Sequence, residues 1–382
     1  MSKLPLKHIK EHPSAPLPAD FCSNPDVAWT LPASYYTSPE VFKREVDTIF
    51  TKDWICVAHR SELAQANQYV TRDLIDENIL IVRGKDNVLR AFYNVCPHRG
   101  HRLLEGSGNA KNVITCPYHA WAFKLDGAMA HAPNCENVEA FDKEKNGLSP
   151  IKVEEYAGFV FINLNPEATC VEDQLPGLQA RLRKACPEVD NLKLAARFTT
   201  PTPANWKNIV DNYLECYHCG PAHPSFSSSM RMDCYRHTLH GNWTLQYSDA
   251  QSSDRAFKVD ASVQDPNFSG FWAWPCTAFN VPPGGDFMTV IYEYPISAGV
   301  TLQNYDIYFL NETLTEDQQR LVEWYRTVFR PEDLRLVESV QQGLTSRGYR
   351  GQGRIMTDKA RSGISEHGIA HFHQLVANRS QA

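Results

Sequence analysis

Four residues in two short runs, Cys96-Pro97-His98 and Cys116-Pro117-Tyr118-His119, have the types and spacing of a metal site. Seventeen residues separate the runs. A zinc finger usually takes its cysteines from one loop and its histidines from another. Here each loop supplies one thiolate and one imidazole. That division suits a [2Fe–2S] cluster in which both thiolates bind one iron and both imidazoles bind the other. Replacing two thiolates by neutral imidazoles raises the reduction potential, to roughly −150 to +300 mV. The proline after each cysteine fixes φ and stiffens the turn that aims the ligands. Gly100 is expected to let the backbone approach the sulfides closely. His101 follows the first loop but is not needed, because Cys96 and His98 already supply its pair.

A second set lies downstream, in the segment Asn205–His223. Trp206, Ile209, Val210, Tyr213, Leu214 and Tyr217 form an apolar stripe at helical spacing, so a helix is expected over 205–218. Glu215 and His218 are three apart and would be neighbours on one side of it. Gly220-Pro221 should break or distort the helix and turn His223 back toward His218. Two imidazoles and one carboxylate make the facial triad of non-haem Fe(II), which leaves positions open for O2 and substrate. Asp333 is the expected carboxylate, with Asp211 as the alternative. It follows Pro331, a favourable first helical residue, and shares a stripe with Val337, Val340 and Leu344. An acid on an apolar stripe is costly unless paired or metal-bound. Glu332 and Glu338 lie off that stripe and are expected in solvent. Cys216-x-x-Cys219 overlaps the segment, and a zinc knuckle or redox pair is the competing reading of it.

The elements that must hold these residues fall into two textures. The first forty residues carry seven prolines, from Pro5 to Pro39, and read as an extended arm with a short helix around 39–50. Residues 53–165 contain short β-branched and aromatic runs separated by turn pairs, the pattern of a small antiparallel β domain. Beyond Pro166, helical spacing at 176–186, 205–218, 315–329 and 331–344 alternates with aromatic-rich strands, including FWAWPCTAFNV. The fold class is therefore α+β, with helices covering an antiparallel sheet in the larger domain. The expected division is 1–44 for the arm and its helix, 45–165 for the cluster domain and 166–382 for the mononuclear iron domain.

Composition narrows the function. A net charge of −6 over 382 residues argues against nucleic acid. No apolar run approaches the ~20 residues that span a bilayer, and no secretory h-region opens the chain. The expected location is the cytoplasm. Eleven irregularly spaced cysteines are not a secreted disulfide framework. Cys56, Cys170, Cys186 and Cys276 are expected to be small buried apolar residues. No dinucleotide-binding G-x-G-x-x-G and no plant-type ferredoxin run is found, so electrons must come from a separate reductase.

A CPH…CPYH pair upstream of E-x-x-H-x4-H and a late aspartate resembles the Rieske non-haem iron oxygenase α-subunits. The runs CPHRGHRLLEG, NVITCPYHAWAFKLDG, TPANWKNIVDNYLECYHCGPAHP, FRPEDLRLVESVQ, SRGYRGQGRIM and SGISEHGIAHFH carry the resemblance over nearly the whole chain. They are most similar to the branch of the family acting on quaternary ammonium compounds. The resemblance implies a Rieske cluster on Cys96, His98, Cys116 and His119, and Fe(II) on His218, His223 and Asp333. It implies O2 as co-substrate, an NAD(P)H-dependent flavin and iron–sulfur reductase as partner, and a head-to-tail homotrimer. Electrons would pass from His119 of one subunit through Glu215 to His218 of the next. Most ring-hydroxylating members have Asp where this chain has Glu215. The implied reaction is oxidative C–N cleavage of carnitine to trimethylamine and malic semialdehyde. Demethylation or hydroxylation of glycine betaine, choline or another betaine is the alternative, and electron transfer without oxygenase chemistry a remote one. A quaternary ammonium offers no N–H donor, so aromatic faces must bind it. Tyr213, Phe271, Trp272, Trp274, Tyr292 and Tyr305 are the candidates.

Overall fold

The structure is a computed structural model that describes residues 17–18, 20–251, 267–283 and 286–381. Residues 1–16, with Pro5, Pro13 and Pro16 of the expected arm, lie outside the described residues. The α+β expectation holds: two seven-stranded antiparallel sheets are set among helices.

The first sheet draws on β1 (Ile55–His59), β2 (Gln68–Leu74), β3 (Glu77–Arg83), β4 (Leu89–Tyr93) and β5 (Ser107–Asn109), then β9 (Pro150–Tyr156) and β10 (Phe159–Asn163). Its order is β1-β10-β9-β4-β3-β2-β5. Between them, β6 (Val113–Thr115), β7 (Ala122–Lys124) and β8 (Met129–His131) form a three-stranded sheet of their own. The first Cys/His loop leaves β4, and the second joins β6 to β7. Leu80, Val82, Phe92, Leu103, Ile114 and Phe123 form a separate apolar cluster that also takes in Cys96 and Cys116.

The second sheet has the order β11-β17-β16-β15-β14-β13-β12. Its strands are β11 (Lys193–Thr202), β12 (Arg236–Leu239), β13 (Trp243–Asp249), β14 (Asn267–Ala273), β15 (Thr277–Val281), β16 (Phe287–Ser297) and β17 (Val300–Phe309). FWAWPCTAFNV is therefore two strands of a hairpin, turning at Trp274-Pro275-Cys276. Pro275 has no N–H to give a ladder and ends the first strand. Pro331 does not separate two helices. The chain runs on from Glu316–Trp324 through the π-helical turn Tyr325–Phe329 into Arg330–Leu344, and the regular helical ladder is interrupted by that π-turn just before Pro331, which has no N–H to give it.

One large apolar core serves both sheets, from Ile55 and Phe159 to Trp272 and Tyr292. Polar ties cross the same boundary. Tyr294 donates its hydroxyl to the Cys56 carbonyl at 2.8 Å. Arg197 of β11 pairs with Glu62 at 3.0 Å and with Asp306 at 2.5 Å. Two arginines, Arg72 and Arg197, hold the buried Glu62 carboxylate down to about 2 against the cost of burial. Among the described residues no helix is long and apolar enough to cross a membrane. Of the four cysteines expected in the core, Cys56, Cys186 and Cys276 are buried. Cys170 is exposed instead, because it sits at the N-cap of the short helix Val171–Gln174.

Candidate metal centres

The two Cys/His loops are copies of one turn. Cys96 N–H donates to the His101 carbonyl at 2.8 Å, and Cys116 N–H to the Trp121 carbonyl at 2.7 Å. Gly100 N–H returns to the Cys96 carbonyl at 2.9 Å, and Ala120 N–H to the Cys116 carbonyl at 3.0 Å. Each loop needs a left-handed residue four after its cysteine: Gly100 has φ +70° and Ala120 φ +57°. A Cβ at Gly100 would meet no protein atom within 4 Å, so its positive φ, not a close approach, is what favours glycine there.

Both cysteines are buried, His98 is exposed and His119 half-buried. The two rings lie 4.6 Å apart, and His98 stacks on Trp121 at 4.5 Å. Trp121 went unnoticed in the sequence, although it occupies the loop position that His101 holds in the other copy. His101 itself is exposed and only its carbonyl serves the turn. Two observations fit a [2Fe–2S] group. His119 Nδ1 is buried with no hydrogen-bond partner. Burial, together with the Cys116 sulfur, pushes the Cys96 thiol up, a cost that ligation removes. Among the described residues only His218, His223 and Asp333 bring three ligand atoms within 4.8 Å of one another. The four loop residues are thus too spread for one tetrahedral zinc, and suit two irons.

The second centre departs from its expected scaffold. The helix ends early: Trp206–Tyr213 is helical, and Leu214–His218 is irregular, with turns only at its two ends. Glu215 and His218 are therefore not stacked on a helix face. Glu215 caps the turn instead, accepting from the backbone N–H of Tyr217 and, at 3.1 Å, of His218, while its other oxygen meets His218 Nδ1. The apolar stripe misled here because Tyr217, its last member, is 53 % exposed. Gly220-Pro221 lies inside the one-turn helix Cys219–Ala222, past the break it was expected to cause. Cys216 and Cys219 are joined in a disulfide, so neither zinc-knuckle thiolates nor free thiols flank His218.

His223 Nε2 lies 2.8 Å from Asp333 Oδ1, and His218 Nε2 lies 3.6 Å from the same oxygen. Burial alone would lower both imidazoles, but the neighbouring carboxylates raise them. Burial would likewise raise Asp333, but hydrogen bonds to His218 and His223 lower it, so the carboxylate is ionised. This is the donor set of a 2-His-1-carboxylate iron site. Asp211 is elsewhere: it accepts from Tyr36 at 2.6 Å and pairs with His373 at 2.9 Å. Glu332 is not in bulk solvent as expected. Its carboxylate meets His223 Nδ1 at 2.8 Å and fixes which ring nitrogen faces Asp333. Its place beside Asp333 was the only signal. Of the expected stripe, Val337 is buried but Val340 is half-exposed.

A cleft of about 100 Å³ opens on this triad. Tyr213 and Tyr305 line it, with Phe226, Phe268, Tyr325 and Phe329. Phe271, Trp272, Trp274 and Tyr292 do not. Strand parity explains two of these. On β16, Thr289, Ile291 and Glu293 face the cleft, which turns Tyr292 to the other face, 3.3 Å from the Tyr308 hydroxyl. On β14, Phe268 faces the cleft and Phe271 is turned away. Trp272 has the right parity but lies further along, against Phe372 and Trp274.

Residues 53–142 match the model of the Rieske [2Fe-2S] domain, and residues 189–382 that of the ring-hydroxylating α-subunit catalytic domain. The chain belongs to the Rieske non-haem iron oxygenase α-subunits. Relatives of this oxygenase include the carnitine monooxygenase oxygenase subunit of Acinetobacter baumannii, 70% identical over 96% of this chain and 98% of the relative. The choline monooxygenase of Spinacia oleracea is 31% identical over 91% of this chain and 78% of that one. Among solved structures, a quaternary ammonium Rieske monooxygenase in complex with L-carnitine superposes with a TM-score of 0.91 at 68% identity, covering 96% of this chain and 100% of that one.

Proposed function

We propose that this oxygenase cleaves the C–N bond of carnitine to trimethylamine and malic semialdehyde, using O2 and electrons from a separate NAD(P)H-dependent flavin and iron–sulfur reductase. The observation that carries the reading is the 70% identity with a carnitine monooxygenase subunit along almost the full length of both chains. Choline and glycine betaine are the second reading, supported only by far lower identity, 31% for the choline enzyme.

In this reading Cys96, His98, Cys116 and His119 hold the Rieske cluster, and His218, His223 and Asp333 hold Fe(II). Bound there, the iron would supply O2 activation beside the cleft that these three residues line. Glu332 and Glu215 fix the ring orientations of His223 and His218 through their Nδ1 atoms. Tyr213 offers an aromatic face to the quaternary ammonium. Hydroxylation of the carbon bonded to nitrogen gives an adduct that collapses to an aldehyde and a tertiary amine. The balance is one O2, two electrons and two protons per substrate, with one water released.

The assembly is a head-to-tail homotrimer in which Glu215 links His119 of one subunit to His218 of the next. The exposure of His98 at the loop tips supports it, since a relay to another subunit needs ligands at the surface. Apart from the two cluster thiolates and the Cys216–Cys219 disulfide, the cysteines are thiols outside any disulfide, which suits a reducing cytoplasm. We keep the domain division at 1–44, 45–165 and 166–382, supported by β10 ending at Asn163 and β11 starting at Lys193. The test is a reductase-coupled assay on carnitine, γ-butyrobetaine, glycine betaine and choline, following trimethylamine and formaldehyde. Trimethylamine from carnitine is the expected result. Formaldehyde without trimethylamine means N-demethylation and rejects the reading.

A further inference from the structure

Two buried ionisable side chains line the cleft, and among the described residues neither has a counter-ion. Glu293 of β16 is 3 % exposed and lines the cleft. Among the described residues its carboxyl group makes no hydrogen bond and no ion pair. Burial, and the charge of Asp333 nearby, push it well above the usual carboxylate range. Arg330 is 7 % exposed and lines the same cleft. Its guanidinium lies over the rings of Phe198 and Tyr305, at 5.3 Å and 5.4 Å. Nη2 donates to the Thr200 hydroxyl at 3.1 Å and reaches Gln303 Oε1 at 3.4 Å. Nε is buried with no partner, and among the described residues no carboxylate pairs with this arginine.

A buried charge without a partner is among the costliest features a fold can keep. A ligand that carries both signs removes both costs at once. Gln303 connects the two positions, because it is the cross-strand partner of Glu293 and accepts from Arg330. The polarity is set by chemistry at each end. A planar guanidinium with free N–H groups matches a carboxylate fork. A carboxylate gives countercharge to a cation that has no hydrogen to donate.

We propose that Glu293 and Arg330 are the specificity-determining pair of the cleft, Glu293 facing the quaternary ammonium of the substrate and Arg330 its carboxylate. This deepens, and rests on, the reading of the protein as a betaine oxygenase. It makes the cleft selective for zwitterions with a terminal acid over cations such as choline.

The test is calorimetric binding of γ-butyrobetaine and its carboxamide to the full-length, iron-loaded protein without O2. The two probes share the ammonium and the chain, and differ in the acid. The wild type is expected to bind the acid at least about tenfold tighter. Arg330→Gln should weaken the acid by about 10- to 100-fold and bring the acid-to-amide ratio near one. Arg330→Lys, which keeps the charge but loses the fork, should restore part of that ratio. Glu293→Gln should weaken both probes and leave the ratio in place. The visible spectrum of the cluster and the iron content check each variant's fold. Equal weakening of acid and amide by Arg330→Gln, or no preference in the wild type, overturns the assignment. If acid preference collapses as expected but coupled turnover releases no trimethylamine, the functional reading fails and the charge assignment stands. If trimethylamine is released and the ratio survives Arg330→Gln, the reverse holds.

Discussion

The two centres each use a pair of histidines, but they hold them in opposite ways. In the cluster loops, His98 is exposed and His119 half-buried, and their partners are buried thiols and an aromatic ring. In the cleft, His223 is 2 % exposed, and both His218 and His223 have one ring nitrogen on Asp333 and the other on a glutamate. A centre that passes electrons to another molecule needs its ligands near the surface and tolerates water. A centre that activates O2 beside a substrate needs enclosure and fixed ring orientations, and here half-buried carboxylates fix the rings.

That contrast can be broken one centre at a time. Cys116→Ser should abolish the cluster's visible absorption and all coupled turnover, while the cleft still takes up iron. Asp333→Ala should leave that absorption intact and reduce iron from about three to about two per chain, again without turnover. Loss of both signals in either variant would mean the centres fold as one unit. Glu332→Gln sharpens the role of the carboxylates, with iron affinity expected to fall about 10- to 100-fold and the cluster spectrum unchanged. An unaltered affinity would make Glu332 a bystander.

The join between the two sheets should respond to pH through Glu62. Its folded value lies near 2, below the ordinary 4.5, so its contribution is full above about 4.5 and is lost as pH falls toward 2. Glu62→Gln should therefore lower the urea midpoint at pH 7, and the gap from wild type should narrow at pH 3.5. The smallest effect tests the loop copies against each other. Gly100→Ala should cost about 1 kcal/mol in thermal unfolding, and Ala120→Gly should gain roughly 0.5 kcal/mol.

The same contrast explains what could be read from the sequence. Each cluster loop carries its two ligands within four residues, and a local turn fixes their geometry. All four could therefore be picked out of the sequence as candidate ligands. His218, His223 and Asp333 could be picked out as candidates too, because a triad of those types has little other use on apolar segments, and their donor atoms converge in the structure. The scaffold was less legible. The stripe through Tyr217 suggested a helix that stops at Tyr213, since a side chain left outside the core contributes nothing to helix burial. Glu332 was misassigned because its partner His223 lies 109 residues earlier, and no local pattern reports that meeting. The aromatics were misjudged where strand parity decided the face, as for Tyr292. The unpaired charges of Glu293 and Arg330 appear only once both walls of the cleft are in place.

The central claim is that the two centres form one electron path running between subunits. It is tested most directly by mixing their failures. Cys116→Ser and Asp333→Ala chains, each inactive alone, would be co-expressed with different tags and the mixed oligomer isolated. The account predicts that trimethylamine release from carnitine returns, because a sound cluster on one chain then neighbours a sound iron site on the next. Mixed oligomers with both metal contents correct and no turnover would contradict it.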